Sequence, residues 1–161
     1  MYQLLNQGEK TVLDKKMLKE YLEKLASDNV IKDKSNIGTY PVPRVLENFK
    51  YISLIYTLLN EHIKLGIAIH PAGEWLLDNY YLIENTVRTI QKDLSKTKYK
   101  NMPRIANGNF SGFARIYVLS NEIVMNTDGR IDKEELKEYL EAYQKQKNLN
   151  MQEIWNLGIF L

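Results

Sequence analysis

Two long segments of the chain show the apolar and polar spacing of amphipathic α-helices. Apolar residues recur there at intervals of four and three, which places them on one side of a helix. The first row is Val45, Phe49, Ile52, Tyr56, Leu59 and Ile63, and the second is Leu76, Tyr80, Ile83, Val87, Ile90 and Leu94. Because only a short link separates the two segments, we expect an antiparallel hairpin.

Three further leucines, Leu46, Leu54 and Leu58, widen the first row. A helix that is apolar over more than one stripe is typical of a buried position, so we expect this helix, from about residue 43 to 65, to be covered on more than one side. Gly66 suits the position after the helix end, and Pro71 suits the first position of the next helix.

Shorter amphipathic segments flank the hairpin at about residues 11–26, 113–125 and 132–147. A last helix begins after Asn150, which has Glu153 three residues later in the spacing of a capping box. Its apolar residues are Met151, Ile154, Trp155 and Leu157. The sequence then stops in GIFL, an apolar ending from which we expect the chain to be an excerpt of a larger protein.

Residues 95–111 lack a periodic pattern and include Asn107, Gly108 and Asn109, with Gly112 directly after them. A loop of this length is uncommon in a compact domain and is often functional. The predicted fold class is therefore all-α. We expect a single helical domain over residues 1–161, a bundle of about six helices with this irregular loop before the fourth.

Composition and charge exclude several classes of function. With 22 Lys plus Arg and 20 Asp plus Glu the net charge is +2, so no overall field attracts the chain to nucleic acid or an anionic membrane. The absence of cysteine excludes disulfides and thiolate metal sites, and two histidines cannot complete a zinc site alone. No apolar run approaches the roughly 20 residues of a membrane span. We expect no metal, cofactor, nucleic acid partner or membrane span.

The segment from Asn126 to Glu135 has several residues of an EF-hand calcium loop. When Gly129 is aligned with the invariant loop glycine, the first ligand position falls on Val124, whose side chain cannot coordinate calcium. We therefore interpret residues 126–129 as a turn, and Asp132 with Glu135 as a helix cap.

Glu74 and Asp78 lie one helical turn apart, beside Trp75. Two carboxylates next to an aromatic ring suit sugar binding or acid–base chemistry. The alternative is a solvated helix face, with Glu74 placed favourably near the helix N-terminus. Arg115 also has two interpretations: it forms a buried pair with a carboxylate that holds the glycine-containing loop in place, or it is exposed.

A more specific signal is the run from Pro71 to Asn79, which matches the pattern Pro-Ala-x-Glu-Trp-Leu-Leu-Asp-Asn. Further matches follow at Met102, Pro103, Ile105, Ala106, Gly108, Gly112, Arg115, Tyr117, Asn126, Thr127, Asp128, Ile154 and Trp155. With these residues the chain resembles the N-terminal region of the large bacterial cyclic β-1,2-glucan synthases. The resemblance covers roughly residues 43–161 and is weak over residues 1–42.

In that family a membrane-embedded domain transfers glucose from UDP-glucose, and a C-terminal phosphorylase-like region trims the product. The resemblance implies that this chain is a non-catalytic N-terminal accessory or docking domain of such a glycosyltransferase. It implies a cytoplasmic segment of a protein that is anchored in the bacterial inner membrane. Its partners would be the remainder of the parent chain and, as a further option, glucan. No catalytic residue of the family maps onto this stretch.

We expect a contact surface for the rest of the synthase or for its glucan at Glu74, Trp75, Asp78, Asn79 and Arg115. Two other functions stay open from the residues alone. One is a free-standing helical protein-interaction domain, and the other is a carbohydrate-binding or hydrolase-like module that uses Glu74 and Asp78.

Overall fold

The computed structural model describes residues 13–32 and 40–161, and these residues are mostly helical. The helices are α1 (Lys15–Asp28), α2 (Val42–Lys64), α3 (Pro71–Asp93), α4 (Lys96–Lys100), α5 (Arg115–Thr127), α6 (Lys133–Gln144) and α7 (Met151–Phe160). Two short antiparallel strands, β1 (Ile31–Lys32) and β2 (Arg104–Ile105), pair with Lys32 opposite Arg104. The all-α fold class is therefore confirmed. The predicted start of the first helix, at residue 11, lies outside the described residues.

The described residues divide into two compact units. One unit contains residues 13–32 and 100–161, and the other contains residues 40–99. The single helical domain expected over residues 1–161 stays a prediction.

The larger unit is built from two helix pairs, α1 against α6 and α5 against α7. Asp14 caps the start of helix α1: its carboxylate accepts the backbone N–H of Met17 at 2.8 Å and so satisfies one of the free donors of the first turn. The side chains that are fully buried include Leu18, Leu22, Ile116, Leu119 and Ile123. They supply the apolar area that stabilises this unit.

The loop predicted before the fourth long helix is more ordered than its sequence indicates. It contains α4 and β2, and it is tied to the end of α1 by Asn107. The side chain of Asn107 accepts the backbone N–H of Val30 at 2.6 Å and donates to the carbonyl of Asp28 at 2.8 Å. Gly108 and Gly112 have positive φ angles of 63° and 88°, which other residues rarely adopt. Gly108 and Gly112 are therefore needed for the backbone conformation of this loop.

The smaller unit is the predicted hairpin of α2 and α3. The rings of Tyr56 and Tyr80 stack with centroids 3.8 Å apart, and the Tyr80 hydroxyl donates to Ser53 Oγ at 2.9 Å. Helix α3 begins at Pro71 as predicted, and Gly66 takes a positive φ of 69° directly after the end of α2. The hairpin prediction is confirmed because its periodicity and its end signals are both local properties of the sequence.

One expectation about the hairpin is wrong. Within its own unit, and among the described residues, helix α2 is covered on one side only, since Leu54 is 57% exposed and Leu58 is 46% exposed, while Leu46 is half-buried. The reason is that α3 covers only the side of α2 that carries Tyr56 and Leu59. The additional leucines of α2 thus form part of an exposed apolar surface.

Gly73 is where α3 approaches the link and α2 most closely. A Cβ atom on Gly73 would lie 2.6 Å from Ile69 Cγ2 and 3.0 Å from Leu59 Cδ2. We expect Gly73→Ala to destabilise the hairpin by about 1 kcal/mol, because overpacking outweighs the better helix propensity of alanine. Hydrogen exchange of the α3 amides would measure the change.

Gly158 in α7 provides the matched control. A Cβ on Gly158 meets no atom within 4 Å, so Gly158→Ala should stabilise its helix by about 0.5–1 kcal/mol. Equal stabilisation by both substitutions would show that the approach of α3 to Leu59 and Ile69 leaves room for a methyl group.

Candidate functional site

Four of the predicted site residues lie together at the start of α3. We call Glu74, Trp75, Asp78 and Asn79 the α3 patch. Their spacing places them on adjacent positions of two helical turns. Trp75 is 61% exposed, and the amide of Asn79 donates to the Trp75 carbonyl at 2.8 Å. The turn is fixed from its start by His70, whose Nδ1 accepts the backbone N–H of Ala72 at 3.2 Å. The patch is thus an exposed indole ring beside polar groups.

Arg115 lies in the other compact unit and is only 7% exposed. Its guanidinium forms a two-point ion pair with Glu153, with Nε 2.7 Å from Oε1 and Nη2 2.5 Å from Oε2. Nη2 also donates to the carbonyl of Asn148 at 2.9 Å. Arg115 at the start of α5 therefore fixes the turn that leads into α7. The assignment of Arg115 to a contact surface stays a prediction.

The electrostatics of this pair follow from burial and geometry. Burial opposes the charge of Arg115, yet the hydrogen bond and the attraction of Glu153 prevail and raise the pKa of the guanidinium. Burial also raises the pKa of the neighbouring Tyr143 hydroxyl to about 12, so Tyr143 is neutral at physiological pH. Because the pair is buried, charged and joined by two hydrogen bonds, it holds α5 and α7 in one orientation.

Glu153 is the partner that the sequence did not identify. Its helix-capping role was predictable and is confirmed: Glu153 N–H donates to Asn150 Oδ1 at 2.9 Å, and Asn150 N–H donates to Glu153 Oε2 at 2.9 Å. The same carboxylate receives Arg115 from 38 residues earlier in the chain. The capping-box spacing of Asn150 and Glu153 was the available signal, and it did not indicate a distant cation as a second partner.

Glu122 is the acidic residue that shares α5 with Arg115, and it has a different contact. It is 4% exposed and accepts the hydroxyl of Tyr21, in α1, at 2.7 Å. Burial, followed by this hydrogen bond, raises the pKa of Tyr21. This hydrogen bond links α1 to α5 inside the larger unit, so the buried carboxylate of Glu122 has a structural role.

The segment that resembles a calcium loop forms the predicted turn and cap. Asp128 and Gly129 take left-handed φ angles of 53° and 69° at the end of α5, and Val124 lies within that helix. The Asp132 carboxylate accepts the backbone N–H of Glu135 at 2.7 Å and caps α6. In the described part of the chain, no group of three or more acidic or histidine side chains is arranged to hold a metal ion.

We expect calcium or a chelator to leave the melting temperature of the protein unchanged. The Asp132 carboxylate is engaged in the cap, and Val124 stands where an EF-hand has its first ligand, so little binding energy can couple to folding. Thermal denaturation followed by circular dichroism measures this directly. A calcium-dependent rise of several degrees would contradict the interpretation.

The apolar residues of α7 form a second exposed surface. Met151 is 65% exposed and Trp155 is 79% exposed, whereas Leu157 is buried. The exposed row has the spacing of one helix face, and we call it the α7 face. Its residues are Met151, Ile154, Trp155, Gly158 and Leu161.

Helices that present exposed tryptophans beside small and aliphatic residues are typical of segments that contact another macromolecule.

No family model matches the sequence. The chain is similar to the cyclic beta-(1,2)-glucan synthase NdvB of Rhizobium meliloti (strain 1021), with 28% identity over 117 residues. The aligned region is 71% of this chain and 4% of that protein, so the chain spans a small fraction of the length of its relative. The resemblance noted from the sequence is thus confirmed. Among the helices of residues 13–32 and 40–161, none is long and apolar enough to cross a membrane.

Proposed function

We propose that this chain is a non-catalytic docking segment of a glycosyltransferase that makes cyclic β-1,2-glucan from UDP-glucose. Its partner is the remainder of the parent enzyme, which it contacts through the α3 patch and the α7 face. The observation that carries the proposal is the exposure of both tryptophans of the sequence, 61% for Trp75 and 79% for Trp155. Similarity to a glucan synthase supports the identity of the parent enzyme.

The α7 face has the geometry of a helix that packs into a groove. Its residues recur at i, i+3, i+4, i+7 and i+10, which is the anchor spacing of helix-in-groove recognition. Gly158 lies in the middle of the row with open space at its Cβ position, so another backbone can approach closely there. A buried aromatic ring contributes about 150–250 Å² of contact area, and tryptophan is enriched among residues that dominate binding energy.

The carboxylates of the α3 patch favour a contact surface over acid–base catalysis. Glu74 and Asp78 are exposed and project from the same helix one turn apart. Two-carboxylate glycoside hydrolysis places the groups on either side of the scissile bond, about 5–10 Å apart, with one carboxyl in a desolvated setting. An exposed pair on one helix does not provide that arrangement. We therefore assign these groups to the polar rim around Trp75.

The proposed location follows from the parent enzyme. We infer that the chain belongs to a cytoplasmic segment of a protein anchored in the bacterial inner membrane. The docking segment itself then needs no cofactor and no metal, since the transfer chemistry belongs to the parent enzyme.

The test is made in the full-length protein that carries this chain. Replacing Trp75 and Trp155 with alanine should reduce glucan output or stable membrane assembly at least tenfold, because two anchors of the contact are lost. Tyr81→Ala is the matched control, since Tyr81 is 77% exposed on α3 but lies outside both surfaces. Circular dichroism of the isolated variants verifies that they fold.

Two results would contradict the proposal. One is normal output and assembly from a well-folded double variant. The other is a parental reading frame that ends soon after Leu161, which would favour a free-standing interaction domain.

Glucan itself is the second candidate partner of the α3 patch. An exposed indole with carboxylate and amide groups beside it can stack on a sugar ring while hydrogen-bonding its hydroxyls. Titration of a Trp155→Phe variant with β-1,2-glucan isolates the fluorescence of Trp75. A saturable change that disappears in Asp78→Ala supports sugar binding, and an unchanged spectrum limits the patch to protein contact.

A further inference from the structure

Helix α2 carries an exposed apolar surface that shares no residue with the α3 patch or the α7 face. We call it the α2 row, and it consists of Tyr51, Leu54, Ile55 and Leu58. These residues recur at i, i+3, i+4 and i+7, so they are contiguous on one face of the helix. Their exposed fractions are 63%, 57%, 47% and 46%. Four adjacent large apolar side chains exceed the scattered exposure of an ordinary surface, which indicates an interaction site.

Charged and titratable residues continue the α2 row at both ends. Arg44 and Glu47 precede it, with Glu47 one turn before Tyr51. Glu61 and His62 follow it, with His62 one turn after Leu58. All four are exposed. The row is therefore an apolar centre between two ends that each carry a basic and an acidic side chain.

This arrangement is complementary to itself when two copies of α2 run antiparallel. If Leu54 lies opposite the second copy's Ile55, Tyr51 lies opposite the second copy's Leu58. The same register places Glu47 opposite the second copy's His62. It also brings Arg44 within about one helical turn of the second copy's Glu61. A parallel arrangement would instead place each charged residue beside the same residue of the second copy, and like charges repel.

We propose that the α2 row is a self-association surface that docks antiparallel on the α2 row of a second copy. The occupant is a second copy because, in one register, apolar centre meets apolar centre and an acidic side chain lies near a basic or imidazole side chain at both ends. The proposal does not rest on the proposed function. The four apolar side chains of each copy bury less surface area than the roughly 800 Å² per partner of a standard interface. We therefore expect the association to be weak.

The first experiment measures the oligomeric state of the chain by sedimentation equilibrium from about 1 µM to 1 mM. The unsubstituted chain should shift from monomer to dimer. Leu54→Lys should weaken association at least tenfold, because it places a charge at the centre of the contact. Leu82→Lys is the matched control: Leu82 is 62% exposed on α3 and outside the α2 row, so its dimer should be unchanged. Circular dichroism checks that both variants fold.

Cross-linking then tests the orientation, and the absence of native cysteine makes it unambiguous. Ile55→Cys should form an intermolecular disulfide readily, because the antiparallel register brings the two copies of this position together. His62→Cys should form little, because its two copies lie at opposite ends. Cross-linking of both variants would show a parallel contact and overturn the proposal.

A charge swap provides an independent check on the ends of the row. Glu47→Lys should weaken the dimer severalfold, because it removes the acidic partner of His62 at each end, and His62→Glu in the same chain should restore it by pairing with Lys at position 47. A chain that stays monomeric to 1 mM, or a dimer that is lost in Leu82→Lys and kept in Leu54→Lys, would refute the α2 surface. These results concern the oligomeric state of the chain and leave the glucan-output test of the docking function independent.

Discussion

Replacing Glu153 with glutamine is expected to lower the free energy of unfolding by about 3–5 kcal/mol. Glu153 has no exposed side-chain surface and receives two hydrogen bonds from the guanidinium of Arg115. Glutamine keeps the size of the side chain and one carbonyl oxygen but removes the negative charge. Arg115 then stays buried with its charge uncompensated, which is more costly than losing the pair altogether. Urea denaturation of the isolated chain, followed by circular dichroism, measures the change.

Two variants separate the buried pair from acidic side chains in general. Glu141→Gln in α6 removes an exposed partner of Lys137, and its effect on stability should be negligible. The double variant Arg115→Met with Glu153→Gln should recover part of the lost stability, because no buried charge is left unpaired. If the double variant were as unstable as the sum of the single variants, the two side chains would not be coupled.

Replacing Leu22 with alanine is expected to destabilise the larger unit by about 2–5 kcal/mol. Leu22 lies in α1, which packs on α6, and its exposed fraction is 0%. Removing most of a fully buried side chain costs its transfer free energy and leaves a cavity that the packed neighbours fill only partly. Hydrogen exchange of the α1 and α6 amides reports the loss in this unit.

Ile83→Ala in α3 provides the comparison for Leu22→Ala. Ile83 is half-buried in the hairpin, so its truncation should cost about 1–2 kcal/mol, close to the loss of contact area alone. A larger cost at Ile83 than at Leu22 would show that the hairpin, and not the larger unit, contains the tighter core.

The helices and their ends were predictable because the signals for them are local. The intervals of four and three fixed α2 and α3, and Pro71 and the Asn150–Glu153 capping box marked helix starts that the structure confirms. Such features depend on residues within one or two helical turns. For the same reason the turn after α5 could be distinguished from a calcium loop by its sequence alone.

The sequence could not predict which element covers an apolar row. Periodicity shows which residues share a helix face, but it does not show what packs against that face. Leu54 and Leu58 have the same spacing signal as the half-buried residues of α2, and yet they face outward. The partner of Arg115 presented a similar difficulty. Glu122 was near in sequence, but the fold brings Glu153 to the guanidinium. Pairings of this kind depend on how helices cross, which a single sequence does not encode locally.

The pairing of β1 with β2 has a consequence for the modular construction of the chain. The strand before the hairpin and the strand after it lie side by side, with Lys32 opposite Arg104. Opposed residues in antiparallel strands have Cα atoms about 4.5–5.5 Å apart, so Lys32 and Arg104 are close neighbours within the larger unit. The hairpin is thus inserted, in the order of the sequence, between two parts of one compact unit that pair with each other through β1 and β2. Excising residues 40–99 and closing the gap with a short glycine–serine bridge should leave the larger unit folded.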